Sequence, residues 1–265
     1  MAAMDRRSTM DSIRWGKLLF LLLLSMSLAA CAASSVKHQE QAFNHTKIGS
    51  AYLGTGQYTA ALREFLEAEK LTPEDPRVHF LLGISYHGKG LSDMAIVQFQ
   101  KSLALKPNNS EVHNYLGAIY LDMRRWDDAI AQFKMALANS LYETPAASLY
   151  NLGRAYHEKR DYVSALKFYG EALEKDPDTI LSPLIEKGIG ITWLAKGEVE
   201  EALRHFLKSV SLAPSLAESH YWLGLCHEKL GRTAEAAAAF QEAVRLAPES
   251  EFGRKAKESL KKMNP

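Results

Sequence analysis

The sequence predicts an all-α solenoid of six stacked helix pairs, closed by a C-terminal capping helix. Three observations predict it. From Ala42 onward the chain repeats itself at a fixed spacing, the same small and aromatic residues return at fixed positions, and proline closes five of the six units. The spacing is that of a helix-pair repeat, about 34 residues. Self-similarity of this kind marks a repeat architecture, in which no unit can bury its apolar face alone. Composition agrees: 265 residues, 47% hydrophobic and 24% charged, are the profile of a packed chain. Thirty-two basic against thirty-one acidic residues give a formal charge of +1, without the basic excess of a dedicated nucleic-acid binder. Two cysteines are too few for a disulfide scaffold or a four-Cys zinc site.

The first element, residues 1–30, reads as an export signal. Arg6, Arg7, Arg14 and Lys17 precede an apolar run from Leu18 to Ala30. A basic region, a short apolar stretch and small residues are the pattern of a secretory signal peptide. Thirteen residues fall short of the ~20 that a membrane-spanning helix needs. The run ends Leu28-Ala29-Ala30-Cys31, which resembles a bacterial lipobox. That resemblance implies acylation of Cys31, cleavage before it, and a lipid bilayer as one partner. Ala32, rather than Asp, after the cysteine resembles the outer-membrane sorting default and implies a periplasm-facing, lipid-anchored protein. Several acyl chains anchor firmly where one is marginal, at about 0.8 kcal/mol per buried CH₂. Losing residues 1–30 removes four basic and two acidic side chains and takes the charge from +1 to −1. A body so nearly neutral has no electrostatic hold on an anionic bilayer. Residues 31–41 are expected to be the acylated cysteine and a polar tether, ten residues spanning at most about 34 Å.

The six units are 42–75, 76–109, 110–143, 146–179, 183–216 and 217–250. Position 8 is Gly in all of them: Gly49, Gly83, Gly117, Gly153, Gly190 and Gly224. Position 20 is Ala61, Ala95, Ala129, Ala165, Ala202 and Ala236, and position 24 is always aromatic, from Phe65 to Phe240. With little or no side chain at positions 8 and 20, the two helices of a unit can approach closely, and the ring fills the space beside that contact. Small residues at position 27, such as Ala68 and Ser102, let the next unit dock. Pro73, Pro107, Pro177, Pro214 and Pro248 stop the second helix. Gly56, Gly90, Gly197 and Gly231 make the turn inside a pair. Arg124 and Arg160 replace that glycine in units three and four, where longer helical ends are expected. These slots resemble the tetratricopeptide repeat. The resemblance implies a right-handed superhelix whose concave face is lined by first-helix positions 2, 5, 9 and 12.

Unit three lacks its proline, and Ser140-Leu141-Tyr142-Glu143-Thr144-Pro145 runs two residues beyond the period. Ile180–Ser182 is a second excess. The last element, 251–265, is expected to be a capping helix. Phe252, Ala256 and Leu260 form an apolar stripe with Met263, and Lys255, Lys257, Lys261 and Lys262 face water.

No catalytic constellation, cofactor motif or small-molecule substrate site is legible. Gly54-Thr55-Gly56 and Gly88-Lys89-Gly90 fall at turns, without the preceding strand of a phosphate loop. His45, His79, His113 and His220 all occupy position 4. First helices ~10 Å apart cannot bring them to one metal with ~2 Å bonds, so they read as scaffold. Cys226 sits at position 10, elsewhere filled by small residues, and reads as packing.

What remains is binding surface. Carried over from the family, the groove residues are Phe43, Leu53, Phe80, Ile84, Asn114, Leu121 and Tyr150. Phe43, Leu53, Phe80, Ile84 and Leu121 form an apolar strip of the kind that marks recognition sites. The stretch from Ala136 to Pro145, running on to Tyr150-Asn151-Leu152-Gly153, together with the lipobox and six units, resembles the pilotins of type IV pilus systems, the PilF/PilW family. That likeness implies a scaffold that helps a secretin subunit reach the outer membrane and assemble. The rival reading is a general envelope adaptor that docks peptidoglycan enzymes or proteases.

Overall fold

A computed structural model describes residues 36–263. The leader, Cys31 and residues 32–35 of the tether lie outside the described residues. Within them the chain forms thirteen helices and no strand. It divides into two compact bodies after Pro107.

The first body holds two helix pairs: α1 (residues 36–54) with α2 (Tyr58–Leu71), and α3 (Pro76–Gly88) with α4 (Ser92–Leu105). Its core gathers Ala42, Leu62, Phe65, Val78 and Leu82, with Tyr52 and Leu53 packed at its edge. Residues 36–41, expected as extended tether, are instead the first turns of α1. Val36-Lys37-His38-Gln39-Glu40-Gln41 contains no glycine or proline, and several good helix formers let it continue the helix behind it. This shortens the reach of that segment, since a helix rises less than half as far per residue as an extended chain.

The second body holds four pairs and a final helix. They are α5 (Ser110–Asp122) with α6 (Trp126–Leu137), α7 (Pro145–Glu158) with α8 (Tyr162–Lys175), α9 (Ser182–Ala195) with α10 (Val199–Leu212), and α11 (Ala217–Lys229) with α12 (Thr233–Leu246). The final helix, α13 (Glu251–Met263), packs on α11 and α12. Ser250 Oγ accepts from the Gly253 N–H at 3.0 Å and caps its start. Ala256 is fully buried, and Leu260 and Met263 pack on the core around Phe240.

One contact recurs in every pair. A Cβ built on Gly49, Gly83, Gly117, Gly153, Gly190 or Gly224 would stand 2.5–2.8 Å from a ring carbon of the aromatic residue sixteen positions on. Those rings, Phe65, Phe99, Phe133, Tyr169, Phe206 and Phe240, are at most 2% exposed. Packed on every side, they cannot move aside for a methyl group. The position-20 alanines and the small residues at position 27 are likewise fully buried. Where position 27 is serine, its hydroxyl has a partner: Ser102 Oγ donates to the Pro76 carbonyl and Ser209 Oγ to that of Pro183, each at 2.7 Å.

The turns inside the pairs correct one expectation. Gly56, Gly90, Gly197 and Gly231 have φ between +71 and +88°, but Arg124 (φ 59°) and Arg160 (φ 63°) take the same left-handed conformation. There is no longer helical end. The three-residue connection and its hydrogen bonds match those of the glycine turns: Arg125 N–H donates to Tyr120 O at 2.8 Å, as Leu91 N–H donates to Tyr86 O at 2.9 Å. The packing of the pair fixes the turn, and arginine accepts the strain. The guanidinium of Arg125 lies 4.3 Å from the centre of the Tyr120 ring, a cation–π contact that braces this turn.

Urea unfolding of three variants tests the bracing and the turn. Gly117→Ala should destabilise by roughly 1–3 kcal/mol through overpacking. Gly170→Ala in α8, where a Cβ meets nothing within 4 Å, should stabilise by roughly 0.5–1 kcal/mol. Arg160→Gly should gain up to about 1 kcal/mol, since a left-handed non-glycine residue costs about 1–2 kcal/mol and glycine's extra chain entropy returns part of it. A loss of stability in Arg160→Gly would show that the turn is unstrained.

Candidate functional site

The two bodies present different faces. In the first, Phe43 is 58% exposed at the second turn of the described helix α1. It lines a cavity of about 570 Å³ with Gln39, Thr46, Pro73, Asp75 and Arg77. That volume is within the range of ligand pockets. Its walls are set by local chemistry. Asp75 caps α3 by accepting from the Arg77 backbone N–H at 2.8 Å, and the Arg77 guanidinium folds back onto the same carboxylate at 3.0 Å. Leu53 packs against the core. Phe80 and Ile84 are half-buried, the Phe80 ring centre 6.0 Å from that of Phe99.

The second body offers a polar face. Asn114 on α5 meets Ser148 and Asn151 on α7: Ser148 Oγ lies 3.0 Å from Asn114 Oδ1, and Asn151 Nδ2 donates to the same oxygen at 3.4 Å. Arg154 Nη1 donates to Asn151 Oδ1 at 3.2 Å, and its guanidinium lies 5.8 Å from the Tyr150 ring centre. Tyr150 packs on Tyr169 with ring centres 5.9 Å apart, and burial pushes its hydroxyl pKa up. Asn114 and Tyr150 therefore belong to one network. Ser148 and Asn151 complete it; the sequence marks Asn151 only as part of the Tyr150–Gly153 stretch and gives neither residue a binding role. They occupy positions 3 and 6, which the repeat pattern gives no reason to select. Further along, Lys187 and Glu218 pair at 2.5 Å. Tyr221, Trp222 and Phe252 cluster with ring centres 5.5–6.3 Å apart.

Leu121 does not belong on an open face. It is 4% exposed, and with Ile119 and Tyr120 it makes three consecutive buried residues. The end of α5 is thus enclosed on more than one side, which position counting could not anticipate.

The position-4 histidines have committed partners. Three of them reach the second helix of their own pair nineteen residues on: His45 Nδ1 to Glu64 Oε2 at 2.8 Å, His79 Nδ1 to Gln98 Oε1 at 2.8 Å and His113 Nδ1 to Gln132 Oε1 at 2.7 Å. His79 Nε2 donates to Pro73 O and His220 Nε2 to Pro214 O, which ties those helices to the preceding turn. In unit five the same latch runs in reverse. Glu186 holds position 4 and accepts from His205 Nδ1 at 2.7 Å, while Lys208 Nζ lies 2.5 Å from its other oxygen. The position-4 histidines are connectors. Cys226 is fully buried, and burial pushes its thiol up to about 12, so it is not a nucleophile at neutral pH.

Tetratricopeptide-repeat family models match residues 49–90, 76–109, 109–178 and 189–251. Among solved structures, the chain is similar to PilF of Pseudomonas aeruginosa (17% identity, TM-score 0.71, 84% of this chain and 99% of that one). It is also similar to PilW, a type IV pilus biogenesis factor (22% identity, TM-score 0.74, 82% of this chain and 98% of that one). At these identities the likeness is one of fold. Among curated relatives, the human intraflagellar transport protein 88 homolog is 28% identical over 108 residues, 40% of this chain. Photosystem I assembly protein Ycf3 of Synechococcus sp. (strain CC9311) is 32% identical over 113 residues, 37% of this chain and 65% of that protein. The chain spans only 10–13% of the length of the first three relatives it matches.

The Glu186 latch gives a pH prediction. Burial favours protonation of this carboxyl, which is 1% exposed, but the hydrogen bonds from His205 and Lys208 outweigh it and hold the pKa below the ordinary 4.5. A pKa lowered on folding contributes stability that is fully present above the unfolded value and is lost as pH falls through the folded one. Urea midpoints should therefore fall as pH drops below about 4.5, and Glu186→Gln should flatten that fall. An equal acid slope in the two proteins would contradict the assignment.

Proposed function

The chain is a tetratricopeptide-repeat protein, and on that premise we propose that it is a lipid-anchored scaffold that holds a secretin subunit at the outer membrane while the secretin ring of a type IV pilus system assembles. The observation that carries the binding role is Phe43, a large aromatic side chain 58% exposed beside a cavity of about 570 Å³. Exposed apolar surface next to a concavity is how protein-recognition sites present themselves. The pilus assignment is supported by the likeness of fold to PilF and PilW over nearly their whole length. The Leu28-Ala29-Ala30-Cys31 stretch supports the lipid anchor.

The mechanism is physical rather than chemical. Acyl chains on Cys31 would fix the chain to one membrane surface. The repeat faces would bury apolar side chains of the partner, and tethering would raise the local concentration of subunits. A general envelope adaptor is the second reading. It draws support from the sequence relatives, of which the photosystem I assembly proteins are the ones this chain spans most fully among those named above.

Metabolic labelling with palmitate should mark the wild-type chain and not Cys31→Ser. Deletion of the gene should leave the secretin monomeric or misplaced, and Phe43→Asp should weaken capture of the purified secretin about tenfold or more without altering the thermal midpoint. Heat-resistant secretin multimers at normal abundance in the outer membrane of the deletion strain would refute the pilus reading.

A further inference from the structure

A second cavity, of about 590 Å³, lies in the second body between α6, α7 and α8. Its apolar lining is Leu137, Leu149, Leu152 and Phe168. Two departures from the repeat accompany it. In unit four, position 4 is Leu149 and position 23 is Phe168, where units one, two, three and five carry the polar latch. The connection from α6 to α7 lacks its proline and runs beyond the period, and Asn139 and Tyr142 from it line the cavity. Between those two residues stands Leu141, 84% exposed.

Charge and shape together indicate the occupant. Lys134 and Lys175 line this cavity, and neither has a carboxylate partner among the described residues. The third charged residue there, Glu171, faces Lys167 at 3.7 Å. The cavity thus has an apolar lining with two lysines against one glutamate, an excess of one positive charge. Lys134 Nζ lies 5.8 Å from the Tyr156 ring centre, and that ring stacks on Phe168 at 5.3 Å. A small amphiphile filling the cavity would leave Leu141 in water, whereas a chain segment crossing the α6–α7 connection would cover it.

We infer that this cavity is a second polypeptide-docking site, which receives a bulky apolar side chain from a partner segment whose flanking residues are acidic. The inference rests on the scaffold reading and shares no residue with the Phe43 face, while the Tyr142 hydroxyl of this cavity meets Ser148 of the Asn114–Tyr150 network at 3.3 Å. An apolar anchor in a desolvated pocket supplies most of the affinity in such contacts. The flanking carboxylates would set orientation and association rate.

The test uses the full chain and fluorescein-labelled heptapeptides with Leu, Phe or Met at the centre, flanked on each side by two Glu or by two Lys, read by fluorescence anisotropy. The Glu-flanked peptides should bind, and the Lys-flanked ones should bind at least about tenfold more weakly. Lys134→Glu with Lys175→Glu should reverse that preference. Ala138→Trp, an exposed position lining the cavity, should abolish binding with an unchanged thermal midpoint. Phe43→Asp should leave peptide binding intact. No binding by any Glu-flanked peptide at millimolar concentration, equal binding of both charge types, or unchanged affinity in Ala138→Trp would overturn the inference. So would saturable binding of dodecanoate with no peptide binding. Secretin capture that depends on Phe43 alongside any of those results would leave the proposed function standing.

Discussion

The fold depends on one steric constraint, the absence of a side chain at position 8 of each pair. With no Cβ there, a fully buried ring from the second helix can lie against the backbone of the first. The helices then sit close enough for the position-20 alanine to be buried as well. The turn between them is fixed by the same approach, to the point that Arg124 and Arg160 are held in a conformation that disfavours any residue with a Cβ. Each pair is therefore braced from within, and the small residues at position 27 leave room for what packs next.

This explains why so much of the architecture is legible in the sequence. Packing that tolerates only Gly, Ala or an aromatic ring at a site leaves a strong mark in composition, and that mark recurs once in every unit. The turns are less legible at Arg124 and Arg160, because left-handed strain is imposed by the neighbouring helices and has no residue type of its own. Residues 36–41 read as tether because polar helix formers look alike in a linker and in the first turns of an exposed helix. Site residues are the least legible. Phe43 is exposed and Leu121 buried although both come from one positional rule, since exposure depends on what encloses each helix end. The Ser148–Asn114–Asn151–Arg154 network cannot be read from periodicity, because it joins two pairs through polar side chains that the repeat leaves free to vary.

The position-4 latch shows how the scaffold absorbs polar variation. His–Gln, His–Glu and the reversed Glu–His all bridge the two helices of a pair over the same nineteen-residue separation. A buried polar group is tolerable only when it has a partner; four units supply that partner at position 23, and in unit six, where position 23 is Ala239, His220 bonds the Pro214 carbonyl instead. In unit four both positions are apolar. A charged group on one side alone would have been left buried without a partner, at a cost that removing both avoids.

The bracing inside each pair bears on how such a chain can change over time. Because glycine and ring are drawn from the same unit, extra residues placed between pairs leave the bracing untouched. The connections at 138–144 and 176–181 are where this chain already carries such additions, and they display Leu141 and Ile180 almost fully to water. Residues added at such junctions can present new side chains to solvent while the glycine–ring contact inside each flanking pair stays as it is.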